Sequence, residues 1–467
     1  MLRSLTPLRG LSLALALVAS ALVLGPTPLA HAVGPETWFV ATSGTPTGAG
    51  GGTCLNPGFV GSDHTPIQAA ITAAVSGDTI HICPGTYSIG TTVDVAESLT
   101  FTGDAAHLSV LDGGGTTRVM NISTASITVF VSELQFRNGR TTGEFDNGAG
   151  IQVHTDAILN VTNSLFVGNR ARHHGGAIAL FGGGSGTLNV TSSTFFKNSA
   201  IDGGAIAIGG NTANVTDSTF VENHASRQGG ALNGSFANLN ARNSTIIDNT
   251  AGSDGAATWV VSLTGNLIAY TDASAPGNSV CDNNAANPID NVSTSADCVS
   301  GGASPVTSAS LQLGILAPWG GPTPTYSIGA GSTAIDAVPS ANCSANDQQG
   351  VSRAGSTCDA GAVEYVASGS SLTASGDLSV VANVPIASSP VITPFGLTAP
   401  IVMRVATELT GPLPGGVTFS SSTGAIGGTP TSTLDTAWVV VTATDANGTV
   451  VSARVTVDNC FLSLSNG

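Results

Sequence analysis

Charge is scarce in this chain. Only 9% of the 467 residues are charged, Lys197 is the sole lysine, and the formal net charge is −16. Nucleic acid and anionic lipid are therefore poor partners, because both are held chiefly by clustered Lys and Arg. Long apolar runs are scarce as well. The run from Leu11 to Leu24 covers 14 residues, short of the roughly 20 that cross a bilayer. Arg3 and Arg9 precede it and Ala30-His31-Ala32 follows, the layout of an export signal with a small-residue cleavage site. Residues 1–32 are thus expected to be a signal peptide. The mature chain is expected to start near Val33, to have no transmembrane segment, and to be secreted or extracellular, with attachment to the cell surface allowed.

Glycine is abundant, at 60 residues, and there are seven cysteines. In an exported chain the cysteines are better read as disulfides than as a zinc site. Neighbours along the sequence pair as Cys54–Cys83, Cys281–Cys298 and Cys343–Cys358, which leaves Cys460 over.

A repeat explains the glycines. NVTNSLFVGN from Asn160, NVTSSTFFKN from Asn189, NVTDSTFVEN from Asn214 and NARNSTIIDN from Asn240 start 29, 25 and 26 residues apart, and each leads into a glycine-alanine turn such as Gly203-Gly204-Ala205. Periods of this size mark solenoids. No helix-forming run of Leu, Glu, Lys and Ala lies between the copies, which excludes a leucine-rich repeat, and the alternation of Val, Thr, Phe and Ile with polar residues suits strands. One repeat is then one coil, and equivalent residues stack about 4.8 Å apart.

Three columns follow. Val161, Val190, Val215 and Ala241, and likewise Phe166, Phe195, Phe220 and Ile246, are apolar throughout and are expected to face inward. Asn169, Asn198, Asn223 and Asn249 form an asparagine ladder in a bend, each amide able to donate to and accept from the next coil. The glycine pairs make a second bend where a Cβ would clash. The fold class expected is all-β, a parallel β-helix of about ten coils at the strand spacing.

Before the repeat, Pro66 to Ala74 reads as a short helix able to plug the open end, followed by Gly77-Asp78-Thr79-Ile80 and Pro84-Gly85-Thr86-Tyr87. In this order the chain resembles the pectin-lyase-like right-handed β-helix family, with the cap at about residues 33–90. Beyond residue 305, Leu316 to Tyr326, Gly331 to Asp336, Asp347-Gln348-Gln349-Gly350 and Cys358 to Glu364 are similar to the choice-of-anchor Q domain of exported bacterial proteins, implying a closing segment over about 305–366 and a β-helix over 33–366. A Ser/Gly-rich joint at 367–373 leads to short alternating strands around Leu413 to Phe419, Ser422 to Pro430 and Val439 to Asp445. These suggest a β-sandwich over 374–460 and resemble immunoglobulin-like modules of bacterial surface proteins.

Chemistry is expected on the coil edge beside the glycine pairs, where His174, Asp202, Gln228 and Asp254 align in one column and His173, Ile201, Arg227 and Ser253 in the next, close to Arg170, Arg172 and His224. Asp202 and Asp254, two coils apart, would be separated by about 9–10 Å, near the limit for an inverting acid and base; Arg227 is the candidate base of a lyase. His173, His174, Asp202 and Glu222 are candidates for glycan or metal contact. A plainer reading is a solvated bend in which Lys197 and Glu222 pair. Thr444-Asp445-Ala446-Asn447-Gly448 resembles the calcium loops of cadherin-like modules, with Asp445 and Asn447 as ligands, and is also an ordinary hairpin turn. No cofactor is expected, with calcium allowed. The polygalacturonase-like motifs Asn-Thr-Asp, Gly-His-Gly and Arg-Ile-Lys are absent. The function expected is therefore a non-catalytic exported surface or matrix protein that contacts extracellular polysaccharide or a cell-surface component; a polysaccharide lyase or inverting glycoside hydrolase is the alternative.

Overall fold

A computed structural model describes residues 34–456 apart from 105–108, 271–278, 282–288, 300–303, 366–370, 379–384, 387–390, 408–412, 432–437, 447–449 and single or paired positions elsewhere. The expected signal peptide, Cys460 and most of the 367–373 joint lie outside the described residues.

Five-residue blocks such as TLNVT at Thr187–Thr191 and TANVT at Thr212–Thr216 alternate polar and apolar residues, so each buries one face. They stack in parallel into a ten-stranded first sheet, while three-residue blocks such as Thr194–Phe196 and Thr219–Val221 form a nine-stranded second sheet. Blocks such as Ile178–Phe181 and Ile206–Gly209 form a seven-stranded third sheet. The shortest sheet sets about seven complete turns rather than the expected ten, because part of the chain assigned to coils goes into the cap and into irregular segments.

The register matches the expected columns. Val161, Val190, Val215 and Ala241 pair in sequence in the first sheet, and Phe166, Phe195, Phe220 and Ile246 in the second. The aromatic column extends to Phe136, and its rings stack almost parallel at 4.9, 4.8 and 4.7 Å. Tyr87 heads the column through Leu111, its hydroxyl donating to the Val40 and Cys83 carbonyls.

Three corners turn each coil. Between the first and second sheets, Asn163, Ser192, Asp217 and Asn243 take φ of 46, 48, 46 and 46°, a left-handed bend that short polar side chains tolerate best. The serines that follow satisfy the backbone: Ser164, Ser193 and Ser218 each donate N–H to the hydroxyl of the serine one coil on, at 3.2 Å. At the second corner sits the buried asparagine ladder. At the third, a Cβ on Gly176, Gly204 or Gly230 would come within 2.2, 2.1 or 1.9 Å of the next coil's carbonyl oxygen, so only glycine fits.

The cap is the helix His64–Ala73, whose N-cap Asp63 accepts from the Thr65 N–H and which buries Pro66, Ile67, Ala70 and Ile71. Cys54–Cys83 ties this region down; Cys281–Cys298 and Cys343–Cys358 are also formed, as expected.

Residues 305–365 close the rod along its flank, not at its end. The second-sheet blocks TFF, TFV and TII bury residues on both faces, so the outer face needs a cover. Leu316 packs on Leu165, Phe196 and Val221; Leu311, Ile328, Ala334, Val338 and Ala360 share a core with Ile247, Leu267 and Ala269. Gln348 is fully enclosed, donating to Thr194 and Thr323 hydroxyls and accepting from Thr219. Arg242 donates to the carbonyls of Ala341, Asn342 and Cys343.

The C-terminal strands form antiparallel pairs, Ser371–Ser375 with Val391–Phe395, Val417–Phe419 with Ile426–Gly428, and Trp438–Thr444 between Val402–Thr407 and Val450–Thr456. They have their own core of Leu378, Ile392, Met403, Ile426, Val439, Val441, Ala443, Ala453 and Val455.

Candidate functional site

Between the asparagine ladder and the glycine pairs the chain forms a short parallel ribbon of Ser199–Asp202, His224–Gln228 and Thr250–Ala251. An irregularity between Ala200 and Asp202 brings Asp202 opposite Gln228, and His174 bridges to Asp202 from the coil before. The Gly229 N–H donates to the Asp254 carbonyl. His174, Asp202, Gln228 and Asp254 therefore share one column, as the glycine alignment implies.

Asp202 is 2% exposed. Arg227 grips it with both ends of its guanidinium, Nε to Oδ1 at 2.7 Å and the terminal nitrogen to Oδ2. Nδ1 of His174 faces Oδ2 at 3.3 Å. Burial pushes the Asp202 carboxyl up, but His174 and Arg227 together outweigh it and hold the group below its ordinary value. The same bond to Asp202 raises Arg227. A committed carboxylate makes a poor general acid, and a guanidinium raised further makes a poor base.

The His174 ring stacks on Phe181 at 3.9 Å, and His173 meets His174 edge-on at 3.9 Å. Burial, then the neighbouring His174, lowers His173. Lys197 and Glu222 lie 3.8 Å apart with both side chains 48% exposed, and the Lys197 ammonium sits 4.6 Å over the Phe196 ring. Such a pair is worth under about 1 kcal/mol. Asp254 is half-buried. Asp445 and Asn447 lie outside the described residues. Among the described residues, the group of metal-ligating side chains close enough to share an ion is Cys54, His81 and Cys83, and its two sulfurs are bonded to each other.

Two features escape the sequence reading. One is a column of Arg140, Arg170, Ser199, His224 and Thr250, each paired in parallel with the next. Arg140, Arg170 and Arg172 line a groove of about 540 Å³ just outside the asparagine ladder. The other lies under the closing segment. Arg353, fully buried, is 2.9 Å from Glu364 and 3.7 Å from Asp217, and donates to the Asp359 and Gly361 carbonyls. Asp217 accepts from the Ser344 hydroxyl at 2.6 Å; burial pushes its carboxyl up to about 7, against the pull of Ser344 and Arg353. Burial likewise raises Asp347, Asp359 and Glu364.

A family model described as "Putative Ig domain" matches residues 367–459, the stretch read above as immunoglobulin-like. The chain is also similar to "Probable autotransporter YfaL" of Escherichia coli (strain K12), at 41% identity over 76 residues, which are 16% of this chain and 6% of that protein. No solved structure matches. Among the described residues no helix is long and apolar enough to cross a membrane. The chain is thus a nearly all-β protein, a parallel β-solenoid followed by an Ig-like domain.

Proposed function

We propose that this is an exported, non-catalytic surface or extracellular-matrix protein whose β-helix edge serves adhesion or carbohydrate contact. In this reading residues 1–32 are the export signal, 33–366 a pectin-lyase-like right-handed β-helix closed by a choice-of-anchor Q segment, 367–373 a joint and 374–460 an Ig-like spacer. The observation that carries the proposal is the commitment of Asp202 to Arg227: the best-placed carboxylate on the edge is buried, holds the ribbon through both of its oxygens and is kept ionised, which unfits it to donate a proton. Similarity to a protein named as an autotransporter supports a surface location. A polysaccharide lyase or inverting hydrolase would need Asp202 or Arg227 free. The test is incubation with acidic and neutral polysaccharides, with and without calcium, while chain length is followed. No shortening is expected; depolymerisation lost in Asp202→Asn would overturn the proposal.

A further inference from the structure

We infer that the groove beside the asparagine ladder binds an acidic polysaccharide, gripping its successive carboxylate or sulfate groups with Arg140, Arg170 and Arg172. The inference rests on the edge being a carbohydrate-contact surface and adds the chemistry of the ligand and its place.

Arg140 and Arg170 occupy neighbouring rungs of one column, about 4.8 Å apart along the rod. Like charges so placed repel and cost stability. Elsewhere on the rod the fold offsets each guanidinium. Arg137 pairs with Asp112, Arg227 with Asp202 and Arg353 with Glu364, while Arg118 and Arg242 donate to backbone carbonyls. Among the described residues no carboxylate pairs with Arg140, Arg170 or Arg172, and all three are exposed. In a chain of net charge −16 with one lysine, three uncompensated arginines on one stretch of surface call for an anion.

The groove has the shape for a polymer. Its volume of about 540 Å³ is continued by a second groove of about 440 Å³ that shares Arg140 and Arg170 and runs to Gly114 and Gly115, past Asn138 and Asp112, whose carboxylate is already paired with Arg137. Ser199 and His224 add polar groups to the wall in the same column. Guanidinium planes match carboxylate and sulfate two bonds at a time. Because the charges repeat along the rod axis, they suit an extended chain that presents oxyanions in series, and a lone small anion would meet only part of the set. Neutral glycans would leave the arginines unanswered.

The test is affinity electrophoresis of the full chain through gels containing polygalacturonate, dextran sulfate or neutral dextran. Wild type should be retarded by polygalacturonate, dextran sulfate or both, but not by dextran, and added salt should weaken the retardation. Retardation by one polyanion only would assign carboxylate or sulfate as the group recognised. The double variant Arg140→Gln/Arg170→Gln should bind at least about tenfold more weakly and, with a repulsive pair removed, melt no lower than the parent. If it does not fold, Arg140→Lys/Arg170→Lys keeps the charge but loses the paired bonds, and should also bind more weakly. Lys197→Gln should bind as the parent does. Polyanion binding unchanged in the arginine variants, or binding to neutral dextran alone, would overturn this inference and leave the carbohydrate-contact reading standing. Binding to no polysaccharide would remove both.

Discussion

Asn198 donates through Nδ2 to Oδ1 of Asn223, one coil on, at 3.0 Å. The same nitrogen reaches the Phe166 carbonyl at 3.0 Å, and Asn198 Oδ1 accepts from both the backbone and side-chain N–H of Asn169. A second row, Asn160, Asn189 and Asn214, bonds across coils on the outer face of the first sheet. Water can replace the outer bonds and not the inner ones. Asn198→Ala should therefore cost about 1–3 kcal/mol for each buried group it strands, and Asn189→Ala no more than about 0.5 kcal/mol. Denaturant melts of the two variants check this; equal losses would mean the inner ladder is not what holds the corner.

Phe195 lies in the stack between Phe166 and Phe220 and is fully buried. Phe195→Ala opens a void that rigid neighbouring coils cannot close, and should cost about 3–5 kcal/mol. A calorimetric melt close to that of the parent would contradict the stacking.

These columns are legible because a recurring motif makes stacking an alignment problem: Phe195 and Asn198 keep the same place in each copy although the copies start 29, 25 and 26 residues apart. Arg140 is not legible in this way, because the coil that carries it lacks the Asn-Val-Thr start and the Gly-Gly-Ala turn that put Arg170 and its neighbours in phase. The flank position of residues 305–365 was hidden for a different reason. That segment has no period, and its partners are outward-facing residues such as Phe196 and Val221 that read as ordinary strand positions. The Asp202–Arg227 pair joins two columns that the alignment kept separate. A bulge brings them together, and local sequence does not announce it.

The closing segment should loosen as pH rises. The folded-state pKa of Asp217, about 7, lies above the ordinary value of 3.8, so between those limits the folded chain holds a proton that the unfolded chain has released. Stability from this group is thus lost as pH rises through that window. Asp347, Asp359 and Glu364 are shifted the same way, whereas Asp202 is shifted the opposite way. The contribution of Asp217 is isolated by comparing melting temperature against pH for the parent and for Asp217→Asn, which keeps an acceptor for Ser344. The variant should show a shallower decline, and parallel curves would contradict the assignment.

Cys343–Cys358 closes a loop with a sequence separation of 15, for which chain entropy gives roughly 3 kcal/mol. The bond lies in the segment that covers the second sheet. Replacing both cysteines with serine should raise hydrogen exchange in residues 305–365 and at Thr194, Thr219 and Thr245 beneath them, with little change in the first sheet. Uniform exchange throughout would show that the segment and the coils unfold as one unit.

The central claim, that the edge binds polysaccharide without cutting it, is tested most directly by measuring both quantities on one sample. Wild-type protein is held with polygalacturonate, with and without calcium, to binding equilibrium; the bound polymer is then recovered and its chain length compared with polymer kept without protein. The account predicts retained polymer of unchanged length. Polymer shortened in proportion to protein and time would contradict it.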